Sequence, residues 1–181
     1  MKSLLTATAS LIFALLINEV HPQETLRIGA TEWTDQFGTR NENNSLGTTV
    51  GFFDSEDYLT YSDINFGSLG FYQSMCFSYA KGNHNGKMEI RLGGTEGTLI
   101  GEFFPWSTGG WGNFIRTCVD IDDVEGAHNL TFVGKDSSGV LNLEWFEITT
   151  EGERDIQWEF VIGTYVKRKN IVSFYFKKFK S

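Results

Sequence analysis

From residue 26 to residue 149 the chain advances in short runs whose apolar residues alternate with polar ones, and each run stops at a glycine or at an Asn/Asp cluster. A strand sends successive side chains to opposite faces, whereas a helix needs apolar residues three and four apart. No segment between 26 and 150 keeps the helical period. "KMEIRLGG" is the clearest case, with Met88, Ile90 and Leu92 on one face. Around it lie "TLRIGATEW", "VGFFDSEDYLTYSDINF", "FYQSMCFSYA", "TEGTLIGEFF", "NFIRTCVDI", "VEGAHNLTFVG" and "VLNLEWFEI", separated by turns such as "GSLG", "KGNHNG" and "KDSSG". The polar run "TDQFGTRNENNSLGTT" reads as a loop, which leaves about nine strands. Strands with one apolar face must bury it against another sheet, so the pattern predicts an all-β, two-sheet antiparallel sandwich. Twenty glycines against two prolines suit many strands joined by tight turns.

The two ends read differently. "MKSLLTATASLIFALLINEVHPQ" has Lys2, an apolar run from Leu4 to Ile17 and a polar flank, the shape of a secretory signal peptide over 1–23. The fourteen residues of that run make about 21 Å of helix, short of a hydrocarbon core of about 30 Å. No other segment is long and apolar enough to span a bilayer, so the sequence predicts a secreted chain with its module over 25–149. Residues 150–181 read as a linker or irregular basic tail, since 163–181 carry six Lys or Arg and no acid. The formal charge is -8 overall and therefore -14 outside that segment, a body that repels nucleic acid. In an oxidising compartment the two cysteines, Cys76 and Cys118, are open to two readings, a disulfide or two buried thiols. Asn43 in "NNS" and Asn129 in "NLT" are glycosylation sequons that fit export.

"WSTGGWGNF" places Trp106 and Trp111 among small, turn-forming residues. Turns run over the surface, so an indole there is offered to a partner. Trp111 reads as a flat platform for the apolar face of a sugar ring, whose hydroxyls then need polar partners at the rim. Trp106 reads as structural, folded back on the sandwich. In "VLNLEWFEI" an unbroken strand sets Asn142, Glu144 and Phe146 on one face and Leu143, Trp145 and Glu147 on the other.

Several stretches together resemble the family 6 carbohydrate-binding modules, β-sandwich modules appended to plant cell-wall hydrolases. They are "VGFFDSEDYLTYSDINFG", "MEIRLGGTEGTLIGEFF", "STGGWGNF", the "TC" before "VDI", "VEGAHNLTFVGKD" and "VLNLEWFEI", in the family's order and near its spacing. The resemblance implies a jelly-roll, galactose-binding-like sandwich that holds sugars of a polysaccharide such as xylan or β-glucan among the loops at one end. Two aromatics would sandwich a sugar ring there and an asparagine would bind its hydroxyls. The family's "TGxW" falls on Trp111, its facing aromatic on Phe52 in "VGFFD", and its asparagine on Asn142. Phe52 stands where Tyr is usual and lacks the hydroxyl. The resemblance also implies a structural calcium. Its first acid falls on Thr31, with Glu32 one step later and so on the opposite face of a strand. Its second acid falls on Glu144. The family's "GDW" is "EDY" at Glu56, Asp57 and Tyr58, which reads as structural.

Catalysis is not expected. Glycoside hydrolysis needs two carboxyl groups opposed across a cleft, and Asp54, Glu56 and Asp57 crowd one turn. The three histidines, His21, His84 and His128, suggest no triad. The expectation is a non-catalytic glycan binder, with two alternatives: a fragment of a longer glycoside hydrolase that carries this module, or an adhesion or matrix module acting through protein contacts.

Overall fold

The computed structural model describes residues 24–150; the expected signal peptide and all but the first residue of the tail lie outside them. Eleven strands form: β1 (Thr25–Gly29), β2 (Asp35–Phe37), β3 (Arg40–Asn44), β4 (Gly47–Phe53), β5 (Tyr58–Asn65), β6 (Ser74–Lys81), β7 (Lys87–Leu92), β8 (Thr98–Phe103), β9 (Gly110–Asp120), β10 (Ala127–Lys135) and β11 (Leu141–Thr149). One sheet has the order β3-β4-β11-β6-β9, with β1 also paired to β11, and the other has the order β2-β5-β10-β7-β8. The described pairings are all antiparallel. The molecule is the two-sheet β-sandwich that the alternation predicts.

The sheets meet through interlocked aromatics. Phe146 of β11 and Phe77 of β6 come from one sheet, and Tyr61, Phe132 and Phe103 from the other. Tyr61 meets Phe146 at 4.7 Å, Phe132 meets Phe146 at 4.9 Å, and Phe77 meets Phe103 at 4.6 Å between ring centroids. All five are buried. Each such side chain contributes about 1.5–3 kcal/mol by leaving water. The Tyr61 hydroxyl, which a dry core would otherwise strand, donates to the Ala30 carbonyl at 2.7 Å.

Cys76 and Cys118 lie directly opposite each other on β6 and β9 and form a disulfide, S–S 2.02 Å. This decides the choice that the sequence left open.

Two expectations are corrected here. The run read as a polar loop contains β2, β3 and the start of β4, with β3 and β4 pairing from Arg40↔Gly51 to Asn44↔Gly47. β3 is an edge strand with neither face in the core, so no apolar alternation marks it; backbone pairing to β4 alone makes it a strand. The face assignment in β11 is also wrong beyond Leu143. Leu143 pairs Tyr79 and Trp145 pairs Ser78, so Glu144 is the extra residue of a bulge. The phase flips there. Leu141 and Leu143, then Phe146 and Ile148, enter the core, while Asn142 and Trp145 stay partly exposed.

Candidate functional site

A second bulge shapes the site. Val50 lies opposite Leu143 and Phe53 opposite Leu141, so Gly51 and Phe52 together face the single residue Asn142. Val50 and Phe53 remain fully buried, while Phe52 takes a φ of 54° and turns its ring outward, 53% exposed. A left-handed backbone costs a side-chain-bearing residue about 1–2 kcal/mol. In return, the bulge re-aims one aromatic away from a strand whose other large side chains face inward. Arg40 lies over the Phe52 ring at 5.1 Å, within cation–π range.

Trp111 is the second residue of β9 and not a turn residue, contrary to the sequence reading. What holds the indole is close approach to two glycines. A Cβ at Gly82 would fall 2.5 Å from Nε1, and one at Gly139 would fall 2.7 Å from Cη2. Gly139 also has a φ of 67°, which favours glycine on its own account. The ring rests against these two backbones and is 42% exposed.

Asn142 pairs Ala80 of β6 on its other side, so β6 separates its strand from β9 and Trp111. Its Nδ2 donates to the Trp111 carbonyl at 2.9 Å and to Glu42 Oε2 at 3.4 Å. With both amide hydrogens directed at chain acceptors, Oδ1 is the atom left to accept from a guest hydroxyl. Phe52, Trp111 and Asn142 line one cleft of about 300 Å³, together with Glu42, Phe53, Asp54 and Gly139. The three residues picked from sequence are thus brought to one place by β4, β9 and β11. Glu42 and Asp54 were missed as site residues. Glu42 sits on the unmarked edge strand β3, and Asp54 in sequence is one carboxylate of a crowded acidic turn.

The neighbouring acids serve structure. Asp54 Oδ1 accepts the Gly139 N–H at 2.5 Å, Asp57 Oδ2 accepts the Asp54 N–H at 2.9 Å, and Glu56 pairs with Lys135 at 2.8 Å. His84 is exposed, and His128 meets the Glu125 carbonyl at 2.8 Å. Trp106 departs from its expected role: it is 73% exposed, anchored by its carbonyl, which accepts from the Tyr79 hydroxyl at 3.3 Å, and so does not plug the sandwich.

The two acids expected to serve calcium are both engaged by chain donors. Glu32 lies beyond the end of β1, so strand alternation does not govern it, and its Oε1 accepts the Gly29 N–H at 2.8 Å. Glu144 Oε2 accepts from the Ser78 hydroxyl at 2.5 Å. Calcium takes six to eight oxygens. Among the described residues no group of three or more His, Cys, Asp or Glu is placed to hold a metal ion, so acidic side chains by themselves do not make a calcium shell here. The sequon residues Asn43 and Asn129 are both exposed, on β3 and β10.

With this geometry in view, the comparisons with known proteins are specific. The sequence profile of the family described as carbohydrate binding module (family 6) matches residues 29–150. A family 6 carbohydrate-binding module from Clostridium cellulolyticum, solved in complex with xylose, is 34% identical, covers 70% of this chain and 97% of its own, and superposes with a TM-score of 0.65. A β-1,3-glucan-binding module of the family from Bacillus halodurans, 24% identical over 70% of this chain and 96% of its own, shares the fold with a TM-score of 0.63. Two proteins named endo-1,4-beta-xylanase A from Thermoclostridium stercorarium are 26% identical over 67% of this chain and 30% identical over 58% of it. The chain spans only 18% and 19% of their lengths. A fold with an aromatic cleft at one end, and a family match across nearly all the described residues, agree: the chain belongs to family 6 of the carbohydrate-binding modules, which bind carbohydrate without catalysing its cleavage.

Proposed function

We propose that the cleft holds sugar residues of a neutral β-linked polysaccharide such as xylan or β-glucan. Phe52 and Trp111 would stack on a pyranose, and Asn142 Oδ1 and the Glu42 carboxylate would accept its hydroxyl protons. The observation that carries this reading is the exposure of two aromatics on one cleft, with the Asn142 amide oxygen on the same cleft directed at no donor among the described residues. The 34% identical relative solved with xylose supports a sugar of this kind. A ring stacked on two aromatics with a few exposed hydrogen bonds leaves a net of about 4–7 kcal/mol, low-micromolar to millimolar binding. The chemistry suits a module that works by proximity to a polymer. We read the chain as extracellular, exported by its N-terminal apolar run, with Asn43 and Asn129 open to glycosylation.

A glycan array run with and without chelator tests the ligand. Retention of xylan or β-glucan oligosaccharides is expected, and an array silent toward every neutral β-linked glycan would overturn the reading. Structural calcium is proposed separately, with Glu32 and Glu144 as its acidic ligands. If it is present, chelator lowers the melting temperature; an unchanged melt counts against it. A second reading, that the module acts tethered to a hydrolase, is favoured by the small fraction of each xylanase that the chain matches. Co-purification of a longer, xylan-cleaving product from the native source is its test.

A further inference from the structure

Lys81, the last residue of β6, is fully buried, yet its acceptors among the described residues are all carbonyl oxygens. Nζ donates to Asn85 O at 2.6 Å, to Gly139 O at 3.4 Å and to Val140 O. An ammonium has three hydrogens and here finds three acceptors, which offsets part of the cost of burying a charge. Those acceptors belong to two loops, 82–86 and 136–140, and each loop supplies one of the glycines on which the Trp111 indole lies. Asn83 adds a second tie, its Nδ2 donating to Ser138 O and Gly139 O at 3.2 Å each. The Lys81 backbone holds a third loop: its N–H donates to Thr108 Oγ1, and its carbonyl accepts from the Thr108 N–H, both at 2.9 Å, three residues before Trp111.

We infer that Lys81 is the positioning residue of the cleft: its ammonium clamps the two loops that seat Trp111 and so fixes the angle at which the indole meets a ligand. This rests on the glycan-binding reading of the cleft, yet it makes a claim about Trp111 that holds with no ligand present. Burial lowers the Lys81 ammonium to about 8. The charged or titratable groups around it are His84 on the first loop, Lys135 and Asp136 at the start of the second, Asp54 against Gly139, and Glu42 across the cleft. Loss of its proton leaves two donors for three carbonyls, so one loop contact is released.

The test compares the wild type with Lys81→Met, each measured with Trp111 and again with Trp111→Phe, so that the Trp111 contribution is obtained by difference. Acrylamide quenching of Trp111 fluorescence, measured without glycan, should rise in folded Lys81→Met. Affinity for xylan or β-glucan in affinity gels should fall by about tenfold or more. Wild-type affinity should also weaken as pH is raised through about 8, with no such step in Lys81→Met. Unchanged quenching and unchanged affinity in a folded Lys81→Met protein would overturn the inference. If that variant does not fold, Trp111 quenching in the wild type from about pH 6.5 to about 9.5 decides: a rise supports the clamp and a flat profile rejects it. If the wild type retains no glycan, the functional reading fails, and the quenching measurement still decides the role of Lys81.

Discussion

Phe52 carries opposite signs for stability and for binding. Its φ of 54° is a conformation in which only glycine is free of strain, and its ring lies half in solvent. Phe52→Gly should therefore leave the melting temperature unchanged or raise it by the equivalent of up to about 1–2 kcal/mol, while retardation on polysaccharide gels disappears. A large drop in melting temperature would show instead that the ring packs as core. Phe52→Tyr should change affinity by only about two- to tenfold, the worth of one rim hydrogen bond of about 0.5–1.5 kcal/mol. Lys81 offers a second sign test, on stability rather than binding. Its folded-state ammonium is lowered from 10.5 to about 8, so between those values the unfolded chain holds the proton and the folded chain does not. Stability must rise with pH in that window, and below about 8 the burial penalty is fully present. Denaturation of the wild type and of Lys81→Met should diverge in favour of the wild type from about pH 8 to about 10.5; a constant difference contradicts the assignment.

At the level of elements, the cleft depends on an interruption in a strand. β4 takes one more residue than β11 across Asn142, and that excess turns Phe52 outward while Val50 and Phe53 stay inside. The same device in β11 makes Glu144 the extra residue opposite Ser78. Neither bulge is written in the period-two pattern, which is why the faces of β11 were misread beyond Leu143. β3 was missed for a related reason: an edge strand with two wet faces has no apolar alternation to show. The disulfide joins β6 to edge strand β9 and closes a loop between residues 42 apart. Its chain-entropy contribution is about 4 kcal/mol. Replacing both cysteines by alanine should lower the melting temperature by on the order of 10 °C. Glycan affinity should then hold at temperatures where the variant is folded, because Trp111 is seated on Gly82 and Gly139 and not on the bridge. Loss of binding by a folded variant would place the bridge within the site's support.

Taken as a whole, the molecule carries a net charge of -8, with two carboxylates on the cleft. A neutral sugar displaces no counterions, so affinity for xylan or β-glucan should change by less than about twofold between low and high salt. A polyanionic ligand would show a steep dependence instead. The architecture was legible because it rests on local periodicity: Met88, Ile90 and Leu92 on one face, or Phe77 and Tyr79 two apart, declare strands with an inward side wherever the chain later goes. Trp111 was legible as an aromatic among turn-forming residues, and Phe52 and Asn142 through resemblance, as residues in a motif order. Sequence by itself determined the class of fold and the identity of the aromatics. Only the tertiary structure decided that β4, β9 and β11 bring those residues to one cleft, that Cys76 meets Cys118, that Trp106 stays outside, and that a buried lysine bonds the loops on which Trp111 lies. Those outcomes depend on register and close approach between segments far apart in the chain, and a one-residue bulge changes them without altering the local pattern.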